Sequence, residues 1–314
     1  MKKTITVALY LLLASSVFPQ ETEIMLTKKD TRLYGTLASP PTKDLVPVVL
    51  IIAGSGPTDR NCNNSQMQTN AFKMLADSLL SHNIASLRYD KRGVGKSERG
   101  DQRESELTIE HFAEDALAWV NKLANDKRFN QIIICGHSEG ALIGTLVAQK
   151  SKKIKALISV AGAGRPLDIV LKDQLSGMVP EAKEIMYGII AQLKKGDTVG
   201  NIPPLLSGLF RPSVQPFLIS LFSYDPAAEL AKLKMPILVI NGDTDFQVKT
   251  EDAEILAKAN PRASLKIIKN MNHVLKYCDY PEKSRQIKEA YDAPHLPLNA
   301  DFVKEVAHFI ETLK

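Results

Sequence analysis

Short, unbroken apolar runs recur along the chain: Val46 to Ala53, Ile84 to Tyr89, Gln131 to Cys135, Ile154 to Val160, Pro236 to Ile240 and Ser264 to Ile268. Most are continuous rather than alternating, the pattern of parallel strands covered on both faces. Between them apolar residues repeat with helical period, as in Phe72, Leu75, Ala76, Leu79 and Leu80, or in Ile109, Phe112, Ala113, Ala116 and Val120 behind a Thr108 cap. Strand and helix therefore alternate. That alternation predicts a three-layer α/β sandwich, a mostly parallel sheet with right-handed crossovers. Ahead of it, Thr22 to Thr27 and Arg32 to Ala38 predict an N-terminal hairpin.

One interval breaks the rhythm, because residues 165–234 separate two strands that a simple crossover would join with far fewer residues. Within it, Pro180 opens a helical pattern with Glu181 and Glu184 early, apolar Ile185, Met186, Ile189, Ile190 and Leu193, and Lys194, Lys195 and Gly196 at its end. Further prolines divide the rest into short helices. The interval reads as a helical cap inserted late in the chain over the C-terminal edge of the sheet, with residues 17–164 and 235–314 forming the core.

The N-terminus adds an address. Lys2 and Lys3 precede the apolar run Ile5 to Leu13, and Ala14-Ser15-Ser16 supplies small residues for cleavage, so residues 1–16 read as a secretory signal peptide. The run is shorter than the ~20 residues of a spanning helix, and no later segment is expected to span. An exported protein, periplasmic or extracellular, follows. The net charge of +5 is modest, and the densest basic stretch, Lys150 to Lys155, falls where a helix should end and contains no aromatic residue, so no nucleic-acid partner is expected. No CxxC or HExxH spacing occurs, and neither metal nor cofactor is expected. Of the three cysteines, Cys62 and Cys278 are expected on loops approaching one site and are the candidate disulfide, with Cys135 left free.

The chemistry is carried by Gly136-His137-Ser138-Glu139-Gly140, which follows an apolar strand and runs into the helical stretch Ala141 to Gln149. A sharp strand-to-helix turn lifts the serine oxygen above the sheet, and glycines on either side leave room for it. A serine hydroxyl needs a base to take its proton and an acid to hold the base's tautomer. In the order this turn implies, acid and histidine follow the serine. The strand Pro236 to Ile240 leads to Asp243 and Asp245, and the strand Ser264 to Ile268 leads to His273. His273 is therefore the candidate base. Both aspartates are within its reach, and the residues alone leave the choice of acid between them open. The oxyanion requires two fixed N–H donors. Glu139 supplies the first candidate, and Ser55, with Gly56 second, the other, from the small-residue loop after Val46 to Ala53.

These blocks, with Ala53 to Asn61 and Asp90 to Ser97, resemble the α/β-hydrolase superfamily over nearly the whole mature chain, and within it the bacterial carboxylesterases related to the serine-aminopeptidase-like branch. Asp245 has the acid's usual position in that family, three residues after Gly242 and three before Val248. Ala53 departs from the His common among relatives, which leaves the backbone donor in place. Gly95-Lys96-Ser97 ends like a phosphate-binding loop but lacks its first glycine, Asp90 standing there, so the block is expected to be a structural turn. The resemblance implies cleavage of small to medium acyl esters through an acyl-enzyme. The alternatives are aminopeptidase, amidase or acyltransferase chemistry on the same residues, or an inactive binding protein. Oligomeric state is not legible.

Overall fold

The structure, a computed structural model, describes residues 20–29 and 31–313, so the predicted signal, residues 1–16, lies outside the described residues. The hairpin is β1 (Gln20–Lys28) with β2 (Thr31–Ser39), paired antiparallel. After β3 (Val46–Ile52), a two-stranded ribbon of β4 (Asn63–Asn64) and β5 (Met67–Gln68) stands outside the main sheet. Then come α1 (Ala71–Ser81), β6 (Ala85–Tyr89), α2 (Ile109–Ala124), β7 (Phe129–His137), α3 (Glu139–Lys150) and β8 (Ile154–Val160).

The interval between the next two strands contains α4 (Leu167–Gln174), α5 (Pro180–Lys195), α6 (Ser207–Phe210), α7 (Gln215–Phe222) and α8 (Pro226–Ala231). The chain closes with β9 (Ile237–Gly242), α9 (Thr250–Ala259), β10 (Ala263–Ile268), α10 (Lys283–Glu289) and α11 (Ala300–Glu311). Among the described residues the main sheet has eight strands in the order β1-β2-β6-β3-β7-β8-β9-β10. From β6 to β10 all neighbours are parallel, and among the described strands of the main sheet only β2 runs against the others.

The unbroken apolar runs are explained by what covers each face. On β3, Val48, Leu50 and Ile52 share a core with Trp119 and Val120 of α2 and Ile143 and Val147 of α3. The intervening Val49, Ile51 and Ala53 share another with Phe72 and Leu75 of α1 and Phe302 and Val306 of α11. Both faces are dry, and each fully buried aliphatic side chain contributes ~1.5–3 kcal/mol of transfer free energy. β10 is an edge strand, and its Ser264, Lys266 and Ile267 are exposed accordingly. The basic stretch does begin at a helix end, α3 stopping at Lys150.

The insertion has a core of its own in Met186, Ile189, Ile190, Leu193, Leu206, Phe210 and Phe222. Its longest helix starts at Pro180 and stops at Gly196, whose φ of 92° ends the helix in the left-handed region. Correcting the sequence expectation, one later segment, Pro204–Phe222, is long and apolar enough by length and composition to cross a bilayer. Prolines 204, 212 and 216 break it into short helical pieces, with Leu206, Phe210 and Phe222 turned into the insertion's core. The insertion is fastened beside the end of β9. Arg165 pairs with the fully buried Asp252 of α9 at 2.8 Å and with Asp173 of α4 at 2.8 Å, and Gln174 donates to the Gln247 carbonyl at 2.9 Å.

Candidate active site

Ser138 is the single residue between β7 and α3, and it turns the chain with φ 54° and ψ −122°. A non-glycine residue there stores about 1–3 kcal/mol of strain, and such strain persists only where the surroundings over-determine it. They do so here. The Ser138 N–H donates to the Val160 carbonyl at 2.8 Å, and the Ser138 carbonyl accepts from the Ala141 N–H at 2.9 Å. A Cβ on Gly136 would lie 2.2 Å from the Gly140 oxygen, and one on Gly140 would lie 2.3 Å from the Ile52 oxygen, so backbone packs on backbone at both positions. The turn leaves the Ser138 side chain half-buried at the C-terminal ends of the parallel strands.

Asp245 and His273 approach from the two neighbouring strand ends, after β9 and β10. His273 Nδ1 bonds Asp245 Oδ2 at 2.7 Å, with side chains 6% and 0% exposed. The other oxygen of Asp245 accepts the N–H groups of Gln247 at 2.8 Å and Val248 at 3.0 Å, which fixes the carboxylate. Asp243 is exposed and accepts the Asn270 N–H at 2.6 Å, clamping the turn after β9 to the loop that carries His273. The contact between Ser138 Oγ and His273 is not closed among the described residues; bonds of this kind commonly tighten only in the substrate complex.

His137, next to the serine in the chain, holds the other histidine. Its Nε2 bonds the His273 carbonyl oxygen at 2.8 Å, and the two rings lie 4.8 Å apart. Burial, with His273 alongside, lowers the His137 imidazole to about 3, so it stays neutral and donates from Nε2.

The backbone N–H groups of Ser55 and Glu139 have no acceptor among the described residues. A Cβ built on Gly54 would lie 3.0 Å from the Ser138 Cβ, which puts the loop after β3 directly against the serine. Sequence reasoning passed over Lys91. Its Nζ donates to the Gly54 carbonyl at 2.5 Å and pairs with Glu139 Oε1 at 3.2 Å, both side chains 4% exposed. A charged residue at the C-terminal end of a buried parallel strand, β6, was the available signal, because sites form at that edge. Around it the Asp90 to Ser97 block is the expected turn, with Gly93 and Gly95 at positive φ and Asp90 gripping Arg60 at 2.8 Å.

The predicted disulfide is not present. Cys62, Cys135 and Cys278 are all buried free thiols. Cys278 donates to the Tyr280 carbonyl at 3.2 Å, while Cys62 lies in the core formed with Phe72 and Leu75 of α1. Each therefore faces other surroundings.

Comparison with known proteins agrees with this architecture. The family model for serine aminopeptidase, S33, matches residues 66–203. Esterase EstD of Thermotoga maritima is 32% identical over 252 residues, 77% of this chain; the chain spans 58% of that protein's length. Est1E from Butyrivibrio proteoclasticus, solved with ferulic acid, superposes with a TM-score of 0.66 at 19% identity, covering 92% of this chain and 98% of its own. An esterase of Pyrococcus furiosus, Pf2001, superposes at 0.60 with 18% identity over 95% of this chain and 92% of its own. The eight-stranded sheet, the serine turn after β7 and these likenesses are one finding: the chain belongs to the α/β-hydrolase superfamily.

Proposed function

We propose that the protein is a serine carboxylesterase that cleaves small to medium acyl esters, with Ser138 as nucleophile, His273 as base and Asp245 as the acid that orients it. The observation carrying this is the buried 2.7 Å bond between Asp245 and His273, set beside a strained serine at the strand ends. The Asp245 carboxylate holds a proton on His273 Nδ1, which leaves Nε2 free to take the Ser138 proton. Ser138 Oγ attacks the ester carbonyl, and the developing oxyanion meets the N–H groups of Ser55 and Glu139. His273 returns its proton to the departing alcohol. Water, deprotonated by His273 in turn, then cleaves the acyl-enzyme. The helices from α4 to α8 act as a cap over this site, and the N-terminal signal exports the chain.

The alternative, removal of N-terminal amino acids, has the matched family model in its favour, whereas EstD and Pf2001 carry the name esterase. A substrate ammonium needs a carboxylate to receive it. Glu139, next to the serine in the chain, is already neutralised by Lys91, and Asp59, in the loop after β3, accepts the N–H groups of Asn61 at 2.8 Å and Asn63 at 2.9 Å on one oxygen. That favours the ester. A panel of p-nitrophenyl esters of two to twelve carbons against aminoacyl p-nitroanilides tests it: activity is expected on short and medium esters, and activity confined to the anilides would overturn it.

A further inference from the structure

We propose that Lys91 is the positioning residue of the oxyanion hole, a buried strut that ties its two N–H donors together. The proposal rests on the reading of Ser138 given above. The sheet order explains how one side chain reaches both. β3 lies between β6 and β7, so Lys91 at the end of β6 extends across the loop after β3 to the start of α3, which follows β7.

The contact with Gly54 acts through peptide geometry. The Gly54 carbonyl and the Ser55 N–H belong to one peptide group, and no cis bond occurs among the described residues, so the two point in opposite directions in one plane. An ammonium that fixes the carbonyl at 2.5 Å therefore aims the Ser55 N–H. It also polarises the group, strengthening the outgoing hydrogen bond by about 10–30%. The second contact reaches the other donor: Glu139, whose carboxylate pairs with the same ammonium at 3.2 Å, is the residue whose N–H completes the hole. Lys91 Nζ also lies 5.5 Å over the centre of the Phe112 ring, a favourable face for a cation. With both side chains almost wholly buried, little water competes for these contacts.

An ion pair kept only for stability would leave turnover of the folded protein unchanged, and that separates the two roles. Lys91→Met alone strands the Glu139 charge in the interior and destabilises the fold. The decisive variant is Lys91→Met with Glu139→Gln, neutral on both sides and close in volume, which retains the backbone donors and the fold. For that variant kcat on p-nitrophenyl butyrate is expected to fall about 10- to 100-fold, short of the ~10²–10³ that follows outright loss of a donor. KM is expected to change by less than about threefold, because the interaction belongs to the transition state. The inhibition constant of an aliphatic trifluoromethyl ketone, whose adduct places an oxyanion in the hole, is expected to rise by the same factor as kcat falls. A folded double variant with wild-type kcat and wild-type inhibitor affinity overturns the strut while leaving the esterase reading intact. A wild-type protein that neither hydrolyses the ester nor reacts with a fluorophosphonate at Ser138 overturns the reading and the strut together.

Discussion

Replacing Asp245 by Asn exchanges one oxygen of the site for an NH₂ group and is expected to remove most of its turnover. The Oδ1 atom that holds the Gln247 and Val248 N–H groups at 2.8 and 3.0 Å has an equivalent in Asn, so the turn keeps its shape. The other atom faces His273 Nδ1 at 2.7 Å, and there a carboxylate oxygen becomes a donor. Two donors cannot share that contact. The imidazole shifts its proton to Nε2, the atom required as base, and a wrong-tautomer change of this kind costs about 10⁴ in turnover, or about 5.4 kcal/mol in the barrier. With the backbone bonds retained, the stability change is expected to stay below ~1 kcal/mol, a shift of a few degrees in Tm for a chain of this size. Asp243→Asn keeps an acceptor for the Asn270 N–H and is expected to leave kcat within about threefold, while Asp243→Ala lowers Tm through loss of the clamp. Steady-state hydrolysis of p-nitrophenyl butyrate with parallel thermal melts distinguishes them. Folded proteins in which Asp243→Asn loses orders of magnitude and Asp245→Asn does not would refute the reasoning.

Two further outcomes follow from buried groups. In an unfolded chain His137 takes up a proton near pH 6.5, whereas in the fold burial lowers it to about 3; between those values only the unfolded state binds the proton, so stability is lost as pH falls through that window. His137→Gln is expected to be less stable at pH 8 and to lose less Tm between pH 7 and 4 than wild type; parallel melting curves would contradict the linkage. Burial also pushes the Cys62 and Cys135 thiols up to about 12, so mass spectrometry is expected to find no alkylation of the native protein and three modified cysteines after denaturation without reductant. A single modified cysteine would instead reveal a Cys62–Cys278 bridge.

The layers were legible because strands buried on both faces carry apolar residues in runs rather than in alternation, and the serine turn because its two glycines meet backbone where no Cβ fits. Asp243 and Asp245 were separable only by family spacing; in three dimensions one caps a turn and the other turns inward to a histidine. What the chain conceals is contact across strands. Lys91 reads as part of a structural turn until the order β6-β3-β7 brings Gly54 and Glu139 within its reach. His137 reads as packing until its Nε2 is found on the His273 carbonyl, 136 residues away. The cysteines mislead for the same reason, since two loops that approach one site need not direct their side chains at each other.

The central claim is that Ser138 is a nucleophile made reactive by His273, and active-site labelling tests it most directly. A fluorophosphonate probe followed by peptide mass spectrometry is expected to place one adduct on Ser138 of the wild-type protein. None is expected on Ser138→Ala, and about 10³-fold or slower labelling on His273→Ala, since these groups act as a unit. An adduct on another serine, or unchanged labelling without His273, would contradict the account.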